Sequence, residues 1–121
     1  MNITDAEFKV MDALWVGQPL SAEQLIAEVR ARTTWGDATV KTLINRLLKK
    51  GAIRSERAEG RHRYLAALEK EAFALAESET LLDRLFGGEV APLVAQFAQR
   101  RTLSAQDRER LRAIIAELGD D

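Results

Sequence analysis

Residues 37–65 read DATVKTLINRLLKKGAIRSERAEGRHRYL, and the character of the chain changes inside this stretch. Val40, Leu43, Ile44, Leu47 and Leu48 recur at helical spacing, so they form one apolar face of a helix beginning near Gly36 or Asp37. The opposite face carries Lys41, Thr42, Asn45, Arg46 and Lys49. Gly51 supplies a helix stop. Ala52 to Arg57 then reads as a short strand. Ala58-Glu59-Gly60 offers a turn with glycine where a positive φ is needed, and Arg61 to Leu65 returns as a second strand.

Working outward, two capping boxes mark two earlier helices. Thr4-Asp5-Ala6-Glu7 precedes Phe8, Met11, Leu14 and Trp15, and Gly17-Gln18-Pro19 ends that helix. Ser21-Ala22-Glu23-Gln24 precedes Leu25, Ile26 and Val29. Three helices followed by a hairpin predict a winged helix-turn-helix.

Beyond Leu68 the chain reads as helix throughout. Phe73, Leu75, Ala76, Leu82, Leu85 and Phe86 stripe the first segment, which Gly87-Gly88 breaks. Val90, Leu93, Val94 and Phe97 stripe the second. Ser104, with Asp107 three residues on, caps a third that carries Leu111, Ile114, Ile115 and Leu118. The expected fold is mainly α with a small β-hairpin: a winged helix at 1–67, followed by a three-helix dimerisation domain at 68–121.

Aromatics are 6% of the chain, so the core is expected to be aliphatic. The absence of cysteine excludes disulfides and thiolate metal sites. No stretch reaches the roughly 20 apolar residues that span a membrane. The N-terminus lacks a basic region followed by an apolar run, so no signal peptide and a cytoplasmic location are expected. Net charge is −1, but it is unevenly spread. Residues 36–66 carry eight basic and three acidic side chains, net +5; residues 68–121 carry seven and eleven, net −4. A basic segment joined to an acidic one suits a nucleic-acid-reading part attached to a part with another task.

The third helix is therefore expected to enter a DNA major groove, which is wide enough to admit one. Thr39 and Thr42 suit phosphates or a thymine methyl. Lys41 and Arg46 suit guanine edges or phosphates. Asn45 can pair with adenine, and Lys49 meets the backbone. In the hairpin, Arg61 and Arg63 suit phosphate contact or minor-groove insertion.

The acidic half, at about 50 residues, is small for an independent core. A second copy of the same segment is its cheapest cover. The expected dimerisation residues are Phe73, Leu82, Leu85, Phe86, Leu93, Val94, Phe97, Leu111, Ile114, Ile115 and Leu118. Folding back onto the winged helix as a monomer is the alternative. A two-fold protein matches a palindromic operator.

These residues resemble the penicillinase and methicillin-resistance repressor family, the BlaI/MecI type with its copper-responsive branch. The resemblance rests on Ala6-Glu7-Phe8, Val10-Met11, Leu14-Trp15, Pro19-Leu20 and Trp35. It continues through Thr39-Val40-Lys41-Thr42-Leu43, Asn45-Arg46-Leu47, Lys49-Lys50-Gly51, Gly60-Arg61, Tyr64, Leu85-Phe86-Gly87-Gly88 and Leu93-Val94. It implies a homodimeric transcriptional repressor bound to a palindromic promoter site through recognition helix 37–50 and wing 53–66. It also implies induction by a regulatory protease that cuts within the dimerisation region. In the lactam-responsive members of that family the cut falls between Asn and Phe; the corresponding pair here is Gln96-Phe97. Without cysteine, the copper-thiolate branch does not apply. Asp37-Ala38 stand where family members often carry basic or polar residues.

Two other classes compete. A winged-helix protein-interaction module without DNA binding would fit the net negative charge. An enzyme is not expected. The lone His62 sits in a basic hairpin, and Glu77, Glu79 and Asp83 read as a solvent-facing helix side without a histidine or cysteine to complete a metal site. No cofactor or metal is expected.

Overall fold

Each of the first two helices starts on a reciprocal cap. In the computed structural model, which describes residues 1–100 and 103–119, the Glu7 amide donates to Thr4 Oγ1 at 3.1 Å and the Thr4 amide to Glu7 Oε1 at 2.9 Å, opening α1 (Asp5–Gly17). Ser21 and Gln24 repeat the arrangement at α2 (Ala22–Arg32). The third helix, α3 (Asp37–Lys50), has no side-chain cap at Gly36. Its C-terminus closes on Gly51 at φ 81°, a left-handed conformation that lets the Gly51 and Ala52 amides satisfy the Leu48 and Leu47 carbonyls.

The hairpin pairs β1 (Ile53–Ala58) with β2 (Arg61–Ala66), in register from Ile53 opposite Ala66 to Ala58 opposite Arg61. Glu59 (φ 55°) and Gly60 (φ 76°) both take positive φ, which makes this a type I′ turn. The sequence pointed to glycine alone; the right-handed strand twist asks the same of Glu59.

A third backbone segment joins the sheet. Leu20, between α1 and α2, bridges Tyr64, with the Tyr64 amide donating to the Leu20 carbonyl at 2.7 Å and the Leu20 amide to the Tyr64 carbonyl at 3.2 Å. The Ala66 amide donates to Gln18 Oε1 at 2.8 Å. The wing is thus anchored on two residues of the α1–α2 connection.

The core of this region is aliphatic, as its composition requires. Val10, Met11, Leu14, Leu25, Val29, Val40 and Leu47 are fully buried where α1, α2 and α3 meet, and Ile53 and Ala66 extend the core under the hairpin. One acidic residue, Glu7, is buried among them.

Backbone contacts divide the chain into Met1–Ala74 and Leu75–Asp121. The division falls inside α4 (Lys70–Phe86), whose first turn belongs to the N-terminal unit. There Phe73 stacks on Phe8 with ring centroids 5.7 Å apart, and Trp15 lies 5.9 Å from Phe8 and 6.0 Å from Phe73. The Trp15 indole donates to the Leu68 carbonyl at 2.8 Å.

The second unit holds the rest of α4, α5 (Val90–Gln99) and α6 (Ala105–Leu118), the last capped by Ser104 accepting from the Asp107 amide. No described residue beyond Ala66 is buried. None of the described helices is long and apolar enough to cross a membrane.

Candidate nucleic-acid interface

The buried and exposed faces of α3 are cleanly divided. Val40, Leu43, Ile44 and Leu47 fix the helix against α1 and α2, so its rotation about its own axis is set by the core. That rotation leaves Thr39, Lys41, Thr42, Asn45, Arg46 and Lys49 exposed together.

Ion pairing separates the neighbouring cations into two groups. Lys50 is tied to Glu7, Arg30 to Asp37 and Arg54 to Glu56. Lys41, Arg46 and Lys49 form no ion pair among the described residues. The cations on the exposed face of α3 are thus unpaired among the described residues, as are Arg57, Arg61 and Arg63 of the hairpin. Thr42 Oγ1 donates back to the Ala38 carbonyl at 3.0 Å, so outward it offers a lone pair and a methyl group.

The hairpin register sorts the wing residues. Alternation puts Arg61 and Arg63 on one face with their cross-strand partners Ala58 and Glu56, while Arg57 and His62 share the face of Ile53, Tyr64 and Ala66. Arg61 and His62 are exposed. Arg63 is half-buried, and its Nε is buried with no hydrogen-bond partner among the described residues.

Sequence periodicity missed one element of this face. Arg30 at the end of α2 reaches across the turn to Asp37, with Nη1 2.7 Å from Oδ1, and donates through Nε to the Trp35 carbonyl at 3.2 Å. The two residues lie seven apart on different helices, so neither helix pattern reveals the pair. The acid at 37 beside a basic face was the available signal.

The expected dimerisation residues fall in two places. Phe73 packs with Phe8 and Trp15 in the N-terminal unit. Within the second unit, Leu93, Val94, Phe97, Leu103, Leu111 and Ile114 line one groove between α5 and α6. Leu82 and Phe86 are half-buried on α4, whereas Leu85, Ile115 and Leu118 are 60%, 65% and 72% exposed. Gln96 and Phe97 both lie inside α5. Glu77, Glu79 and Asp83 are exposed on α4, and no cluster of three or more potential metal ligands occurs among the described residues.

Residues 3–117 match the family model described as penicillinase repressor. The chain is 30% identical over 118 residues to the penicillinase repressor of Staphylococcus aureus, covering 98% of this chain and 94% of that protein. It is also 30% identical to the methicillin resistance regulatory protein MecI of Mammaliicoccus sciuri, covering 94% and 93%. Among solved structures it is similar to the Bacillus licheniformis BlaI monomeric form in complex with the blaP half-operator. The identity is 28% and the TM-score 0.54, over 60% of this chain and 88% of that one.

Proposed function

The chain belongs to the penicillinase repressor family, and from that premise we propose that it represses transcription by binding a palindromic operator as a homodimer. The observation that carries this reading is the exposed face of α3. Thr39, Lys41, Thr42, Asn45, Arg46 and Lys49 stand together there, with the three cations unpaired among the described residues, on a helix whose rotation the core fixes. Thr39, Lys41 and Thr42 in the first half of α3 read base edges, and Arg46 and Lys49 hold the phosphate backbone. Arg61 and Arg63 of the wing add backbone contacts.

Residues 68–121 are the dimerisation domain in this reading, following a winged helix at 1–67. Its support is the uncovered apolar surface of α4 and α6: a monomer leaves Leu85, Ile114, Ile115 and Leu118 more than half exposed. A second copy covers that surface and doubles the operator contacts. The protein is a regulator acting in the cytoplasm, not an enzyme.

The same reading takes Gln96–Phe97 as the bond at which a regulatory protease releases the operator. Both residues are helical, so cleavage requires α5 to unwind locally. Immunoblots of induced cells test this part alone: a chain that stays intact during derepression removes the protease from the account.

The overall proposal is tested by gel shift with duplexes from the promoter region of the protein's own gene. Retarded complexes that survive competitor DNA support it. A protein that shifts nothing at low salt is instead the winged-helix interaction module.

A further inference from the structure

Asp37 is the first residue of α3, and its carboxylate is not left to itself. Arg30 Nη1 lies 2.7 Å from Oδ1, and the same guanidinium holds the Trp35 carbonyl through Nε at 3.2 Å. One arginine therefore spans the α2–α3 turn and fixes both the backbone before α3 and the carboxylate at its start. The two side chains are 52% and 57% exposed, so the pair contributes little to stability by itself. The helix dipole favours an acid anywhere in the first turn, but it does not require an arginine bridging to the preceding carbonyl.

The pair sits where a recognition helix meets base edges, beside exposed Ala38, Thr39 and Lys41. A bare carboxylate there would repel the phosphates flanking the groove; Arg30 offsets that charge at contact distance. Arg30 engages Oδ1, leaving Oδ2 for an incoming donor. The major-groove donor that suits a carboxylate is the N4 amino group of cytosine.

The geometry points to Asp37 as a specificity-determining residue that reads a cytosine amino group at one position of each half-site, with Arg30 as the positioning residue that aims it. This rests on the reading of α3 as the DNA-reading helix.

The test is selection of bound sequences from a pool of random duplexes by the wild type, Asp37→Ala, Asp37→Asn and Arg30→Ala. Thermal melting of each protein accompanies the selection. The wild type is expected to favour cytosine at one position per half-site. Asp37→Ala is expected to reduce that preference by about tenfold and to leave the other positions unchanged. Asp37→Asn is expected to move the preference towards adenine, because asparagine offers a donor and an acceptor. Arg30→Ala is expected to blur the cytosine preference at that position alone. A merely structural role would change melting or overall affinity but not one base identity. Wild-type selection of a defined site with the same base profile in all three variants overturns the inference and leaves the DNA reading intact. A wild type that selects no sequence overturns both.

Discussion

Lys50 Nζ, at the last residue of α3, lies 2.6 Å from Glu7 Oε1 in the first turn of α1. It also donates to the Asn2 carbonyl at 2.8 Å. The Glu7 side chain is 1% exposed, and its Oε2 accepts no hydrogen bond among the described residues. Burial by itself would raise the Glu7 pKa. Hydrogen bonds from Lys50 and Thr4 outweigh it, and the carboxyl is held below its ordinary value. The end of α3 is thereby bolted to the start of α1.

Acid sensitivity follows from that sign. A carboxylate whose folded pKa is lowered stabilises the fold above its unfolded value and loses that contribution as pH falls through the folded one. Urea midpoints are expected to be flat from neutral pH down to about 5 and to fall below it. Glu7→Gln removes part of that fall. Identical acid slopes for the two proteins would remove Glu7 from the account.

The two halves of the pair are not equivalent. Lys50→Met leaves a buried carboxylate without its main partner, and is expected to cost about 2 kcal/mol. That is below the cost of breaking a wholly buried pair, because the Lys50 side chain is 33% exposed. Glu7→Gln costs less, because the freed ammonium can reach water. Chemical denaturation of both variants checks the order; the reverse order contradicts it.

The aromatic cluster of Phe8, Trp15 and Phe73 makes a distinct prediction. Phe73→Ala is expected to lower the stability of the N-terminal unit by about 2 kcal/mol, less than for a fully buried phenylalanine because Phe73 is half-buried. Sedimentation equilibrium should show the association constant little changed. A variant that melts like the wild type but dissociates would place Phe73 in the dimer interface.

Ile115→Glu with Leu118→Glu adds charge to the exposed stripe of α6, where the side chains are 65% and 72% exposed. The expected product is a monomer whose winged helix melts normally. Its affinity for a half-operator is unchanged, and its affinity for a full palindrome falls by about a hundredfold or more. A double variant that remains dimeric shows that α6 is outside the interface.

Much of this architecture was legible because the signals are local. Thr4 with Glu7 and Ser21 with Gln24 are spaced to close a single helical turn, so the caps could be read directly. The split of α3 between Val40, Leu43, Ile44 and Leu47 and the polar face is a matter of period. Contacts made across elements were not legible. Nothing near Leu20 announces a bridge to Tyr64, because the pairing depends on where α1 ends relative to β2. Glu7 reads as an exposed capping residue until the tertiary fold brings Lys50 over it. Arg30 and Asp37 read as unrelated surface charges until the α2–α3 turn brings them together.

The most direct test of the central claim is a fluorescence anisotropy titration of a palindromic duplex from the gene's own promoter, repeated across salt concentrations with wild type, Lys41→Ala and Arg46→Ala. The account predicts that the wild type prefers this duplex to a scrambled one and that its affinity falls steeply with salt. Each substitution should weaken binding by about 1–3 kcal/mol if the side chain pairs with a base, or lower the salt slope by about one if it meets a phosphate. Equal, weak binding of both duplexes by all three proteins would contradict it.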